Sequence, residues 1–228
     1  MVEISKCVEV NENKQPEVNG YKEIKAEVTS NPEEARQYLD NLFSDEIDDS
    51  GTGEIENPHQ EEVDGKTFYY DDNGKLYRVE NDLIPNTEYE INGYKYTTDE
   101  QGRIVSAEGT LHMKEREGRL TIKDSIEDIG KGDQKEGDDR GHLIGDQFDG
   151  SNGLENMIPQ DADINRNDFK NFENELAKEV KAGKEVVVKI EPIYDGDSRR
   201  PVAIVVTYSI DGEENVRVFP NGIVSNDL

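Results

Sequence analysis

Residues 139–173 read DRGHLIGDQFDGSNGLENMIPQDADINRNDFKNFE, and this stretch decides the fold. His142-Leu143-Ile144 starts a strand, Asp149-Gly150-Ser151-Asn152-Gly153 is a turn, and Leu154–Pro159 is a second strand. A helix is expected over Asp161–Lys181, with Asp161 or Asp163 as its N-cap and Gly183 just past its end. A β-hairpin followed at once by a helix is a compact frame for a metal ion and a phosphate. Counting ~100° per residue from Asn165 puts Phe169, Phe172, Leu176 and Val180 within about 60° of it, and Glu173 about 80° away. Asn165 therefore sits inside the apolar stripe and Glu173 on its edge. A buried amide and an edge carboxylate that face a sheet must find polar partners. An ion with its water shell would satisfy both.

Strand signals surround this frame. Phe68-Tyr69-Tyr70 and Leu76-Tyr77-Arg78-Val79 flank Asp71-Asp72-Asn73-Gly74, a hairpin with a favoured turn. Tyr94–Val105 repeats the scheme, with tyrosines ahead of an Asp-x-x-Gly-basic-apolar run. The two hairpins are expected side by side in one antiparallel sheet. Their aromatics are read as sheet core, not as platforms for nucleotide stacking, because alternating aromatics pack well across strands. Residues 123–140 are Gly-rich and charged and are read as a loop. Beyond the helix, strands are expected at Glu185–Tyr194 and Val202–Ile210, joined by Asp195–Arg200, with a last strand near Val216–Phe219. The class is α+β, an antiparallel sheet with a hairpin–helix motif at the site.

Composition complicates a polyanion-binding function. The net charge of -27 argues against nucleic acid, which usually meets a basic patch. The excess is uneven: residues 1–65 hold 18 acids and 5 bases, and the other 163 residues hold 35 and 21. Residues 1–65 read as a separate acidic segment ahead of a domain over 66–228. Val2, Ile4, Val8 and Val10 alternate, Asn19-Gly20 signals a turn, and a small hairpin over 2–28 is expected. Ser30-Asn31-Pro32-Glu33 reads as the start of a short helix running through Ala35, Leu39, Leu42 and Phe43. Residues 44–65, acidic and nearly devoid of apolar side chains, read as a linker. Cys7 is the one cysteine, so no intrachain disulfide is possible, and with three histidines a Cys/His zinc site is not expected. No apolar run approaches the ~18 residues of a membrane span. The N-terminus MVEISKCVEV lacks the basic and apolar parts of a signal peptide, so ordinary secretory export is not encoded here unless an upstream part has been removed.

The quoted stretch resembles the DNA/RNA non-specific endonucleases of the ββα-metal class. Four elements at fixed spacing carry the resemblance: Asp139-Arg140-Gly141-His142, Asn156-Met157-Ile158-Pro159-Gln160, Asn165 and Glu173. It covers roughly residues 66–228, weakly before 120. The chain also looks like the subset at the C-termini of bacterial polymorphic toxins, where YxYxTDExGRI hairpins precede the motif. The resemblance implies that His142 is the general base, Asn165 the direct ligand of Mg²⁺ (or Mn²⁺), and Glu173 a holder of water around the ion. It implies that Arg140 contacts the scissile phosphate, that Asn156 orients His142 or the metal shell, and that Asp139 orients neighbouring groups. These roles suit the chemistry. An imidazole with pKa near ~6.5 accepts a proton at neutral pH, and a hard cation prefers oxygen ligands and keeps several waters.

The implied activity is cleavage of DNA, with RNA as an alternative substrate, by a domain restrained by a separate inhibitor. The chain would be secreted by a route that uses no signal peptide of its own, or act in the cytoplasm of a producing or target cell. Taken alone, His142 would be a structural strand histidine and Glu173 a surface glutamate; the accompanying motif reverses those readings. A second class of function is a catalytically inactive, acidic DNA mimic. Occupation of every expected catalytic position by the right residue type favours the enzyme. The acidity requires a locally basic channel, for which Lys131, Lys135, Arg140, Arg166, Lys170, Arg199 and Arg200 are the candidates. Arg199-Arg200 lies in a turn and is read equally as solvated loop or second phosphate contact. His59 and His112 are read as surface residues.

Overall fold

The computed structural model describes residues 58–222. The hairpin expected over 2–28, the helix after Ser30 and most of the 44–65 linker lie outside the described residues. Chain order runs β1 (His59–Val63), β2 (Lys66–Tyr70), β3 (Leu76–Val79), β4 (Asp82–Leu83), β5 (Glu88–Ile91), β6 (Tyr94–Thr98) and β7 (Ile104–Thr110). A short helix α1 (Ile126–Gly130) follows, then β8 (Asp138–His142) and β9 (Met157–Asp161). A wide helical turn over Ile164–Phe169 leads into α2 (Lys170–Lys181), and β10 (Val186–Ile193), β11 (Ala203–Ile210) and β12 (Glu213–Pro220) complete the order.

These strands form three antiparallel sheets. One is β1-β2-β3-β4, the second is β12-β11-β10-β7-β6-β5, and the third is the β8-β9 hairpin. The expectation of one sheet holding both tyrosine hairpins is therefore corrected. The open edge of β3 is taken by β4 and that of β6 by β5, so neither hairpin is left free to pair with the other. A stack of tyrosines joins the two sheets instead. Tyr77 of β3 lies 4.8 Å from Tyr89 of β5, which lies 5.3 Å from Tyr96 of β6, centroid to centroid. All three rings are buried, as the core reading of the aromatics requires.

The stretch read as linker ends in strand, since β1 pairs with β2 from His59↔Tyr70 to Val63↔Lys66. The turn between them is Asp64-Gly65, both at positive φ, a favoured two-residue hairpin signal that the acidity of the segment obscured. The loop expected over 123–140 contains α1, which Ser125 caps: its hydroxyl accepts from Asp128 N–H, and the Asp128 carboxylate accepts from Ser125 N–H. It also contains β8, which ends at His142 instead of starting there.

The sheet face beneath α2 is apolar. Val186, Val188, Ile190, Ile204, Val206 and Phe219 are buried, and α2 brings Phe172, Leu176 and Ala177 against them. Phe169, Phe172 and Phe219 pack edge to face at 5.0–6.4 Å. Each such side chain contributes roughly 1.5–3 kcal/mol by leaving water, so the helix that carries Asn165 and Glu173 is pinned by its own stripe. The ~100° count holds for α2 but not for Ile164–Phe169, where the helix is wound more loosely, as π-helix. Asn165 stands on that loosened turn.

Candidate active site

Alternation along β8 points Asp138 and Asp139 to opposite faces. Asp138 is a buried strut: Arg200 Nε and Nη2 reach its two oxygens at 2.7 and 2.8 Å. Asp139 turns toward the loosened helical turn. Its Oδ2 accepts from Asn165 Nδ2 at 2.9 Å and from Arg166 Nε at 2.8 Å, and its Oδ1 from Arg166 Nη2 at 2.7 Å. Burial alone would raise the Asp139 carboxyl, but the hydrogen bonds from Arg166 and Asn165 outweigh it and hold the group below the usual carboxylate range. The bond to Asn165 has a directional consequence. With the amide nitrogen committed to Asp139, the amide oxygen is turned away from that carboxylate and is available to a cation.

Two glycines let the chain close over this region. A Cβ on Gly141 would strike the Gln160 amide, and one on Gly145 would strike the Glu173 carboxylate. Gln160 is the cross-strand partner of Asp139, is fully buried, and has no hydrogen-bond partner for either amide atom. An orphaned buried amide beside the group that orients Asn165 marks a place where water or an ion's water shell belongs. Among the described residues no three His, Cys, Asp or Glu side chains converge into a metal cage. The donor set is thus amide oxygen and water with one carboxylate nearby, which fits a hard divalent cation.

His142 ends β8, opposite Met157. It is 8% exposed. Burial, reinforced by the charges of Arg119, Arg116 and Arg140 against the opposing Asp146, lowers its pKa to about 4. The imidazole is therefore neutral at pH 7 and able to take a proton. Half-buried Glu173 moves the other way: burial raises its pKa to about 7, with Asp146 adding to the rise and Arg119, a hydrogen bond to Gln147 and Lys170 opposing it. His142 and Glu173 share Arg119 and Asp146 as electrostatic neighbours.

Sequence reasoning missed the groups that tie these residues down. Asp146 accepts from Lys114 and, at 2.8 Å, from Arg116 Nη2. Burial would raise it, but those contacts and Leu120 N–H bring it to about 2. Lys114, Arg116 and Arg119 lie on an irregular segment between β7 and α1, which no periodicity marks. The only signal was KEREGR itself, three bases within six residues of an acidic chain. Asp146 and Gln147 follow His142 so closely that the run GDQF could have been read as part of the motif.

Four of the expected residues have other protein groups as their partners. Asn156 is 0% exposed, and its side-chain hydrogen bonds among the described residues go to Ile144 and Ser151, not to His142. Its Nδ2 donates to the Ile144 and Ser151 carbonyls at 2.8 and 2.7 Å, and its Oδ1 accepts from Ile144 N–H at 2.9 Å, so it shapes the loop that leaves His142. Arg166 is committed to Asp139 and positions it. Arg200, 6% exposed, is used up by Asp138 and by the Asn221 carbonyl, 2.7 Å from Nη1. Half-buried Arg199 donates to the Gln101 carbonyl at 2.6 Å, which ties its loop to the β6–β7 turn. Arg140 is exposed, with Nη1 on the Asp124 carbonyl at 3.0 Å and no carboxylate partner among the described residues. His59 stacks on Tyr70, and His112 stacks on Tyr94.

A family model described as DNA/RNA non-specific endonuclease matches residues 85–212. The type VII secretion system protein EssD of Staphylococcus aureus strain USA300 is 36% identical over 148 residues, which are 61% of this chain and 24% of that protein. EssD of strain NCTC 8325 / PS 47 matches to the same extent. The chain thus spans about a quarter of the length of the curated relatives it matches. Among solved structures, an extracellular nuclease gives a TM-score of 0.41 at 16% identity, covering 57% of this chain and 86% of that one. A structure of Sda1 nuclease with bound zinc ion gives 0.42 at 19% identity, covering 57% and 76%. The family match takes in β5 through β11 with Asp139, His142, Asn165 and Glu173 inside it, more than half of the 228 residues, and the chain therefore belongs to the DNA/RNA non-specific endonucleases.

Proposed function

We propose that this metal-dependent nuclease hydrolyses phosphodiester bonds of DNA, and of RNA by the same chemistry, without sequence preference and with Mg²⁺ or Mn²⁺ as its ion. The observation that supports the reading is the Asp139–Asn165 hydrogen bond, which commits the amide nitrogen and leaves the amide oxygen available to a cation. Asn165 would hold the ion directly, with Glu173 and Gln160 accepting or donating to its waters. When bound, the ion supplies neutralisation of charge on the phosphate and the leaving oxygen. The remaining work falls to the chain's own residues. Neutral His142 takes a proton from the attacking water. Arg140 and Arg119, neither in an ion pair with a carboxylate among the described residues, would face the phosphate oxygens. Asp139 and Asn156 position, the first Asn165 and Arg166, the second the loop after His142. The test is plasmid cleavage with Mg²⁺, with and without chelator, by the wild-type chain and His142→Ala. Cleavage by the wild type alone, abolished by chelator, is expected; chelator-resistant cleavage would remove the ion from the mechanism.

The setting is proposed from the likeness to EssD, a protein named for type VII secretion. The chain is read as the toxic domain of a longer bacterial protein, exported without a signal peptide of this chain and restrained by a separate inhibitor that covers the groove around His142 and Arg140. No helix of the described residues is long and apolar enough to cross a membrane. Production of the wild-type chain in a bacterial cytoplasm without a partner should cause chromosome loss that His142→Ala does not. Harmless, high-yield production of an active wild-type chain would overturn the toxin reading.

A further inference from the structure

A chain of net charge -27 must still attract a polyanion, and the distribution of its ion pairs shows where. Most cations of the described residues are cancelled. Arg78, Arg103, Arg116, Arg166, Arg200 and Arg217 all have carboxylate partners within 4.0 Å. On α2 the pattern inverts. Its carboxylates Glu175 and Glu179 are paired, with Arg217 at 3.1 Å and Lys184 at 2.6 Å, while Lys178 and Lys181 form no ion pair among the described residues. Counting ~100° per residue, Asn171, Asn174, Lys178 and Lys181 fall within an arc of about 80°. All four are exposed.

This arc is one wall of an open groove whose other wall includes Gln147. Gln147 lies two residues past Gly145, whose Cα the Glu173 carboxylate approaches so closely that a Cβ there would strike it, so the groove starts beside the candidate active site and runs toward the C-terminal end of α2. The carboxylate that also lines the groove, Glu175, is paired with Arg217, and the groove surface offers ammonium groups and side-chain amides. These contact phosphate without reading bases, as a nuclease indifferent to sequence requires.

Resting on the nuclease reading above, we propose that this groove is a second phosphate-binding track, which holds the substrate strand beyond the bond being cut. Lys178 and Lys181 are five and eight residues past Glu173, about 7.5 and 12 Å along a helix rising ~1.5 Å per residue. Phosphates advance ~3.4 Å per step along one strand of a duplex, so the lysines meet phosphates about two to four steps from the scissile one. Local positive charge on the helix that presents Glu173 concentrates the strand where the bulk charge of the molecule would repel it.

The experiment is K178Q/K181Q in the full chain, probed with a 20-base-pair DNA duplex, its RNA counterpart, and bis-p-nitrophenyl phosphate as a diester too small to reach the groove. Duplex binding is followed by anisotropy in EDTA across a salt series, and cleavage with Mg²⁺ gives KM and kcat. The slope of log Kd against log salt should fall by about 1.8, or ~0.9 for each lost duplex phosphate contact. KM for the duplex should rise several-fold with kcat unchanged, and turnover of the small diester should match wild type. The same slope change with RNA extends the track to both nucleic acids. A wild-type slope and KM in K178Q/K181Q overturn the proposal, as does an equal loss on the small diester, which would put the lysines at the reacting centre. A wild-type chain that neither binds nor cuts duplex brings down the nuclease reading itself, a result the variant cannot produce.

Discussion

At the scale of the residue, the site runs on two side chains whose burial works in opposite directions. His142 is kept neutral and Glu173 is pushed toward its protonated form. For His142→Ala, cleavage should fall ~10²–10⁴-fold in a protein that still unfolds cooperatively, with a lower melting temperature from the packing lost with the buried ring; near-wild-type turnover by a folded variant would remove His142 as base. Glu173 carries a stability cost with a definite sign. Its folded pKa of about 7 lies above the ordinary 4.5, so between those values the folded chain binds the extra proton. Stability from this group is present below about 4.5 and lost as pH rises through about 7. In metal-free protein, Glu173→Gln should therefore stabilise by roughly 1–3 kcal/mol at pH 8, from ~1.4 kcal/mol per pKa unit, with little gain at pH 4, and at the same time lower the cleavage rate. His142 has the opposite linkage. Its folded pKa of about 4 lies below the ordinary 6.5, so its contribution is present above about 6.5 and lost as pH falls toward 4. Denaturation in urea at pH 5 and pH 8, for wild type and both variants, separates the two. A Glu173→Gln protein less stable than wild type at pH 8 would contradict this electrostatic picture.

At the scale of the element, the β1–β4 sheet lies ahead of the family match yet is tied to the site. Arg78 of β3, buried and stacked 4.4 Å over Tyr69, donates to Asp124 at 3.0 Å and approaches Glu155 at 3.5 Å. Asp124 also accepts from Leu154 N–H at 2.7 Å, and its carbonyl holds Arg140. Removing the one cation leaves two buried carboxylates unpaired, so Arg78→Met should cost about 3–5 kcal/mol, read as a lower denaturant midpoint with an unchanged m-value. A loss below 1 kcal/mol would show the network to be slack. Elements with a strong local pattern were legible in the sequence: the turn Asp71–Gly74, the alternating Val186–Ile193 and the stripe Phe169–Phe172–Leu176. The illegible ones are set by long-range partners. Nothing local to Arg199-Arg200 says that Asp138 and Gln101 occupy the guanidinium groups, and nothing local to Asn156 says that its amide folds back on Ile144. His142, Asn165 and Glu173 can be named from the sequence because their spacing is a motif. Asp146, Gln147 and Arg119 have meaning only once the segment between β7 and α1 is laid against the loop after His142.

At the scale of the whole molecule, charge and activity must be reconciled. Residues 1–57 carry 15 acids against 5 bases, and we expect them to be dispensable for chemistry. Because β1 belongs to the folded sheet, the informative truncation starts at residue 58 and not at 66. A 58–228 fragment should keep or raise activity, most visibly at low salt where repulsion is least screened; a folded but inactive fragment would show that the removed segment completes the site. The central claim is that Asp139 presents the Asn165 amide oxygen to a divalent ion that the reaction needs. It is tested most directly by the initial rate of plasmid cleavage as a function of Mg²⁺ concentration, for wild type and Asn165→Ala at fixed pH and ionic strength. The expected result is saturation for wild type and, for Asn165→Ala, a midpoint raised well beyond the ~10–100-fold that indirect partners of a metal produce, or no saturation at all. An Asn165→Ala protein whose rate saturates at the wild-type Mg²⁺ concentration would contradict it.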